Sequence, residues 1–217
     1  MRVVAISDTH GLHDYVKVPD GDLLIHAGDC TGHGTLAEIR AFNHWLGKLP
    51  HKHKVIIAGN HDFDFQVRPE LARAAITNAI YLQDQQTIIE GYCVYGSPWQ
   101  PEFHNWAFNV PRGPSIRKIW QQIPEEVDIL VTHGPPHNIL DLNSDWDKVN
   151  QRQGVNCGCE ELGLHIWNNI SPLAHVFGHI HEGYGERFME GVGIRFVNAS
   201  ICTRSMQPTN PPIVFDL

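Results

Sequence analysis

Val3-Val4-Ala5-Ile6-Ser7-Asp8-Thr9-His10 carries the reading that decides the fold: a short, partly β-branched apolar run that stops at a carboxylate and an imidazole. An apolar run of this length predicts a buried strand. Residues two apart on an extended segment share a face, so Asp8 and His10 can reach one metal ion. The pattern recurs four times. Leu23-Leu24-Ile25 leads to Gly28-Asp29, Val55-Ile56-Ile57-Ala58 to Gly59-Asn60-His61-Asp62, residues 127–131 to Thr132-His133-Gly134, and residues 174–177 to Gly178-His179-Ile180-His181. Open α/β sheets form their sites at the carboxyl ends of strands, so five such ends can converge although their residues are far apart in sequence.

Between the runs lie helical signals. Thr35-Leu36-Ala37-Glu38 is a capping-box pattern, and Leu36, Ile39, Phe42 and Leu46 then make one apolar face, with a stop expected near Gly47. Residues 69–76, 115–122 and 159–169 are further helix candidates, the second ended by Pro124. Strands alternating with helices predict parallel pairing in the first half. Residues 87–89 and 92–95 around Glu90-Gly91 read as a hairpin, and residues 194–198 and 213–215 as late antiparallel strands. Two packed sheets flanked by helices accommodate all of this.

The 217 residues, 42% of them hydrophobic, suit one domain spanning 1–217. No stretch approaches the length of a bilayer span, and the chain starts on a strand pattern instead of a secretory one, so a soluble cytoplasmic protein without a membrane partner is expected. Five cysteines without framework spacing predict reduced thiols, and Cys157-Gly158-Cys159 does not match the usual zinc spacing. A formal charge of −8 with no basic run excludes long nucleic acids held by their backbone. The sequence sets no oligomeric state. Fifteen histidines are the compositional anomaly; ten of them fall outside the five strand ends and read as exposed or hydrogen-bonded imidazoles.

The strand ends supply seven candidate metal ligands: Asp8, His10, Asp29, Asn60, His133, His179 and His181. A carboxylate has two oxygens, so Asp29 can bridge two ions. An amide oxygen such as that of Asn60 is a weak ligand, recruited beside stronger ones, which points to a crowded centre of two divalent metal ions. The mixed nitrogen and oxygen set suits manganese first, with iron, zinc, cobalt or magnesium as alternatives. Two such ions lower the pKa of a shared water, and open positions remain for that water and for a substrate oxygen. His61, beside the ligand Asn60 but not itself needed as one, is a candidate to contact the substrate or move a proton, and Asp62 to orient that imidazole.

Taken together, Asp8-x-His10, Gly28-Asp29, Gly59-Asn60-His61-Asp62, His133 and Gly178-His179-x-His181 resemble the calcineurin-like metallophosphoesterase superfamily. Longer stretches resemble its metallophosphoesterase-domain-containing subfamily. These are Tyr95-Gly96-Ser97-Pro98-Trp99-Gln100-Pro101 with Trp106-Ala107-Phe108-Asn109, then His133-Gly134-Pro135-Pro136, His181-Glu182-Gly183-Tyr184-Gly185 and Gln207-Pro208-Thr209-Asn210-Pro211-Pro212. The resemblance implies a four-layer α-β-β-α sandwich of two mixed sheets flanked by helices. It also implies hydrolysis of small, cyclic-nucleotide-like phosphodiesters. It assigns Asp8, His10 and His181 to one ion, Asn60, His133 and His179 to the other, and Asp29 to both. One departure stands out: where many superfamily members carry a further acidic or aromatic-basic signature, Cys30-Thr31-Gly32-His33-Gly34 follows the Gly-Asp.

For the rim, Trp99, Phe103, His104, Trp106, His13, His33 and Tyr184 lie near strand ends, and an aromatic rim can stack a base. His13, His33, Trp99 and Tyr184 are the substrate-binding candidates. A small phosphoester is the expected partner. A phosphomonoesterase or protein phosphatase is the alternative, and a silent binding scaffold, which loss of ligands usually marks, is the third reading.

Overall fold

The computed structural model describes residues 1–147 and 152–217. Its strands, in chain order, are β1 (Arg2–Ile6), β2 (Leu23–Ala27), β3 (His53–Ile57), β4 (Ile80–Tyr81), β5 (Gln85–Ile89), β6 (Tyr92–Ser97), β7 (Gln100–Pro101), β8 (Asn109–Val110), β9 (Ile129–Thr132), β10 (Leu142–Asp147), β11 (Arg152–Asn156), β12 (Ala174–Phe177), β13 (Gly185–Met189), β14 (Ile194–Asn198) and β15 (Ile213–Asp216). The helices are α1 (Leu36–Lys48), α2 (Phe63–Val67), α3 (Pro69–Ala75), α4 (Pro114–Trp120) and α5 (Glu160–Asn169). One large sheet runs in the order β15-β1-β2-β3-β4 and a second β13-β14-β12-β9-β6-β5, while β10-β11 and β7-β8 form two-stranded pairs.

Strand alternation explains why both sheets are covered on two sides. Val3, Ala5, Leu23, Ile25, Val55 and Ile57 point from the first sheet toward Val94, Ile129, Val131 and Val176 of the second, forming the central core. Val4, Ile6, Leu24 and Ile56 point the other way, against Ile39, Phe42 and Leu46 of α1. On the far side Tyr95, Leu130, Phe177 and Phe196 pack on Ile116 and Trp120 of α4 and on Leu162 and Ile166 of α5. The result is helix, sheet, sheet, helix. Strands buried on both faces are apolar at successive positions, which is why the runs lack polar alternation.

The inner strands β1, β2 and β3 pair in parallel, as do β6, β9, β12 and β14. Parallel pairing puts the strands' carboxyl ends at one edge, which is where the ligand candidates stand. The capping box forms: Thr35 Oγ1 accepts from Glu38 N at 3.3 Å and Glu38 Oε2 accepts from Thr35 N at 2.9 Å. The helix continues past Gly47 to Lys48 and stops where Leu49 turns extended ahead of Pro50. The Glu90-Gly91 hairpin pairs β5 with β6. The two late strands form and each has an antiparallel partner, but they do not pair with each other. β14 lies parallel to β12 and antiparallel to β13, while β15 crosses to the first sheet, antiparallel to β1. The partner of β14, β13, is largely exposed and mixes Glu186 and Arg187 with Phe188 and Met189, so no apolar run announces it. Among the described residues no helix is long and apolar enough to cross a membrane.

Candidate metal centre

Four of the seven candidate ligands adopt a left-handed or near-left-handed backbone: Asp8 (φ 52°), His10 (φ 44°), Asp29 (φ 54°) and His179 (φ 68°). Such residues cost on the order of 1–3 kcal/mol each and persist where neighbours over-determine them. Here the turns brace one another: Asp8 N donates to Gly28 O at 2.9 Å, His10 N to Asp29 O at 3.0 Å and Gly178 N to His133 O at 2.9 Å. The glycines ahead of Asp29, Asn60 and His179 each leave room for another ligand. A Cβ at Gly28 would meet His133 Nδ1 at 2.5 Å, at Gly59 it would meet Asp29 Oδ1 at 2.3 Å, and at Gly178 Asp8 Oδ2 at 2.0 Å. The glycines of Gly-Asp, Gly-Asn-His and Gly-His-x-His are therefore requirements of close approach.

The seven side chains converge. His181 Nε2 lies 3.4 Å from Asp8 Oδ1 and 3.3 Å from His10 Nε2, and His10 Nε2 lies 3.8 Å from Asp29 Oδ2. His133 Nε2 lies 3.4 Å from Asp29 Oδ2 and 2.8 Å from Asn60 Oδ1. Asp8-His10-His181 and Asp8-Asp29-His133 each bring three ligand atoms within 4.8 Å, and so does His10-Asp29-His61. His179 falls outside those triads. Its ring faces that of His133 at 5.0 Å, and its backbone N–H donates to Asp8 Oδ2 at 3.0 Å.

Backbone carbonyls fix the imidazoles. His133 Nδ1 donates to Ala27 O at 2.9 Å and His181 Nδ1 to Thr203 O at 3.0 Å, which leaves both Nε2 atoms facing the carboxylates. Burial alone would push these two imidazoles down, but Asp29 and Asp8 raise His133 to about 9, and Asp8 raises His181 to about 9. Burial pushes the carboxyls of Asp8 and Asp29 up, and the surrounding imidazoles overcome it and hold both well below the carboxylate range. His10 and His179, where burial prevails, fall to about 4 and about 3. Two buried carboxylates thus take their countercharge from protons on two ligand nitrogens. A set of this kind, two carboxylates, one amide oxygen and four imidazoles, fits divalent ions, which would displace those protons.

His61 stands on the cleft side of the cluster, its ring 4.7 Å from that of His10 and 4.7 Å from that of Trp106. Its Nδ1 donates to Gly32 O at 2.9 Å, so Nε2 is the nitrogen left to meet a substrate. A backbone carbonyl therefore holds this imidazole, within the segment where the sequence departs from the superfamily. Asp62 does not orient His61. It is fully buried and turned the other way, accepting from Cys30 N (3.2 Å), Thr31 N (3.0 Å), Thr31 Oγ1 (2.6 Å) and Gly59 N (2.9 Å). Burial and the charge of Asp29 push its carboxyl up to about 6. Its work is to staple the Asp29 turn to the Asn60 turn.

A cleft of about 600 Å³ opens over the cluster, with Phe103 and Trp106 on one wall and Arg112, Glu182 and Arg204 around it. None of the four substrate-binding candidates lines it. His13 is buried against Phe42 and Trp45 beneath α1. The His33 side chain is 89% exposed and lies 3.7 Å from Glu38. Trp99 Nε1 donates to Asp84 at 2.7 Å while its ring packs on Phe108, and the Tyr184 hydroxyl donates to Pro211 O at 2.9 Å. His13, Trp99 and Tyr184 are spent on packing or on hydrogen bonds elsewhere, and His33 projects into solvent. Phe103 and Trp106, from the same aromatic run, do reach the cleft. Arg112, Glu182 and Arg204 carried no sequence signal beyond the position of Glu182 next to His181. Arg112 also donates to Gly158 O and Cys157 O, each at 2.8 Å, so it braces the turn that enters α5. All five cysteines are free thiols.

The model of the calcineurin-like phosphoesterase family matches residues 1–183. Metallophosphoesterase domain-containing protein 1 of Homo sapiens is 45% identical over 240 aligned positions, covering all of this chain and 71% of the human protein. The UPF0046 protein C25E10.12 of Caenorhabditis elegans is 38% identical, covering all of this chain and 81% of its own length. Among solved structures, TT1561 of Thermus thermophilus superposes with a TM-score of 0.58 at 16% identity, over 91% of this chain and 88% of that one, a likeness of fold. The four layers, the ligand turns at the carboxyl ends of the strands and these matches agree: the chain belongs to the calcineurin-like phosphoesterase family.

Proposed function

We propose that the protein is a two-metal phosphodiesterase for small substrates that carry a planar group, cyclic nucleotides among them. The observation that carries this reading is the placement of His61 between the ligand cluster and the Trp106 ring, on the floor of a cleft of about 600 Å³. Asp8, His10 and His181 would hold one ion and Asn60, His133 and His179 the other, with Asp29 shared; manganese is the ion proposed. Bound there, two divalent ions supply hydroxide at neutral pH and offset charge on the phosphoryl oxygens.

The chain's own residues do the rest. His61, fixed at Nδ1 by the Gly32 carbonyl, presents Nε2 to the leaving oxygen and moves a proton to it. Trp106 and Phe103 offer faces on which a base can stack, and a pocket of this size suits a mononucleotide better than a long strand. Arg112 and Arg204 supply positive charge beside two carboxylates, Glu102 and Glu182, which disfavours a polyanionic track.

The test is turnover of bis-p-nitrophenyl phosphate, p-nitrophenyl phosphate, and 2′,3′-cyclic and 3′,5′-cyclic nucleotides by the purified chain with added manganese. Hydrolysis of diesters is expected. Activity on monoesters alone would overturn the diesterase reading, and no turnover with two ions bound would favour a binding scaffold.

A further inference from the structure

Two buried imidazoles outside the ligand set occupy corresponding places in the two sheets. His26 lies in β2 and His175 in β12, both with no exposure, in strands whose other residues are all apolar. His26 Nε2 lies 2.9 Å from Thr9 Oγ1, and His175 Nε2 lies 2.8 Å from Thr132 Oγ1. Thr9 stands between Asp8 and His10; Thr132 immediately precedes His133. The Nδ1 atom of each histidine is buried without a partner. Among the described residues, the threonine is therefore the one hydrogen-bond partner of either ring.

A leucine or valine in either place would avoid the desolvation of an imidazole. Burial pushes both rings down to about 3, so each is a neutral group whose orientation rests on the bond to its threonine. At Thr9 that bond falls where the backbone is strained. Thr9 is flanked by Asp8 at φ 52° and His10 at φ 44°. Thr132 Oγ1 donates to Gly134 O at 2.7 Å, across the turn that carries His133. Its single proton is then engaged, so His175 Nε2–H is the donor in the second bond.

We infer that His26 and His175 are positioning residues, each gripping through a threonine hydroxyl a turn that presents ligands to the metal centre. The inference rests on the metal-centre reading above. Its distinctive consequence is that metal affinity and fold stability separate: removing an imidazole should loosen the centre without weakening the metal-free protein.

The experiment strips the full chain with chelator, titrates it with Co(II) by visible absorption, and measures the Tm of the metal-free form. His26→Leu and His175→Leu are expected to weaken Co(II) binding roughly 10- to 100-fold, with the metal-free Tm equal or higher. His26→Gln and His175→Gln, which restore an N–H, should regain most of the affinity. Thr9→Val and Thr132→Val should reproduce the loss from the other side, and should decide the matter if a leucine variant fails to fold. Affinity within about threefold of wild type in the leucine and valine variants, or a loss that follows a lowered metal-free Tm, would overturn the inference. Wild-type protein that binds no cobalt would overturn the metal centre and this inference with it, whereas wild type and leucine variants that bind two ions equally well would overturn the inference alone.

Discussion

At and beneath the floor of the cleft, Asp8, Asp29, Asn60 and His133 are at most 2% exposed and follow strands paired on both sides. On its rim, Phe103 is 54% and Trp106 37% exposed, on a loop held by side-chain bonds. Asn109 Nδ2 donates to Phe103 O at 3.0 Å and His104 O at 2.8 Å, and Gln100 Nε2 to Ala107 O at 2.8 Å. The floor inherits its geometry from sheet register, which many residues fix at once. The rim depends on a few local bonds, with Ala107 N donating to Asn60 O at 3.1 Å as a link between the two. Substitutions on the floor should therefore abolish the chemistry, and substitutions on the rim should retune binding.

The largest effect is expected at Asp29, whose Oδ2 approaches both His10 and His133 and whose Oδ1 accepts from His61 N at 2.8 Å. Asp29→Ala removes the group proposed to be shared by the ions. Metal content, read by elemental analysis, should fall from two per chain toward none. Losing several kcal/mol of transition-state charge stabilisation then lowers kcat about a thousandfold or more. A variant retaining two ions would break the assignment of Asp29 to both. Next comes His61→Ala, for which kcat should fall roughly a hundredfold while two ions remain, since His61 is proposed to move a proton and not to serve as a ligand. Loss of metal in this variant would instead place His61 among the ligands, as its distances to His10 and Asp29 permit.

Trp106→Ala addresses the rim. Stacking of a base on an aromatic ring contributes about 1–3 kcal/mol, so KM for a cyclic nucleotide should rise roughly five- to hundredfold. For bis-p-nitrophenyl phosphate the change should be smaller, and Trp106→Phe should recover most of it. If kcat falls instead and KM holds, Trp106 serves to pack His61 rather than to bind substrate.

This contrast also marks what could be read in the sequence. Val3-Val4-Ala5-Ile6 and its four counterparts announce strands because both faces of each sheet are covered, and a ligand at a strand end keeps its place whatever the loop beyond does. Strand β13, Gly185–Met189, has no such signature, so its pairing with β14 emerges from the structure alone. At the rim, an aromatic or a histidine near a strand end can turn either way. Trp99 found Asp84 and Phe108, Tyr184 found Pro211, His13 found Phe42, and proximity in sequence to a ligand said nothing of those partners. Asp62 departs from expectation for the same reason: its neighbour His61 bonds Gly32, while Asp62 serves the turn behind it.

The smallest effects distinguish a side chain from the backbone that carries it. The His33 imidazole projects into solvent, and a surface substitution away from packed features changes stability by about 0.5 kcal/mol or less. His33→Ala should leave kcat/KM within about twofold of wild type and Tm almost unmoved. The amide of the same residue is different: Gly32 N and His33 N donate to Glu38 Oε1 at 3.1 and 3.2 Å, and Gly32 O in turn holds His61. Glu38→Ala frees that loop at the start of α1 and, by displacing the anchor of His61, should lower kcat roughly three- to tenfold at unchanged metal content. Measured side by side under saturating manganese, the pair sets an exposed imidazole against the amide beneath it. An equal loss in both would return His33 to the substrate site; a loss confined to Glu38→Ala would show that the rim reaches the chemistry through the Gly32 carbonyl.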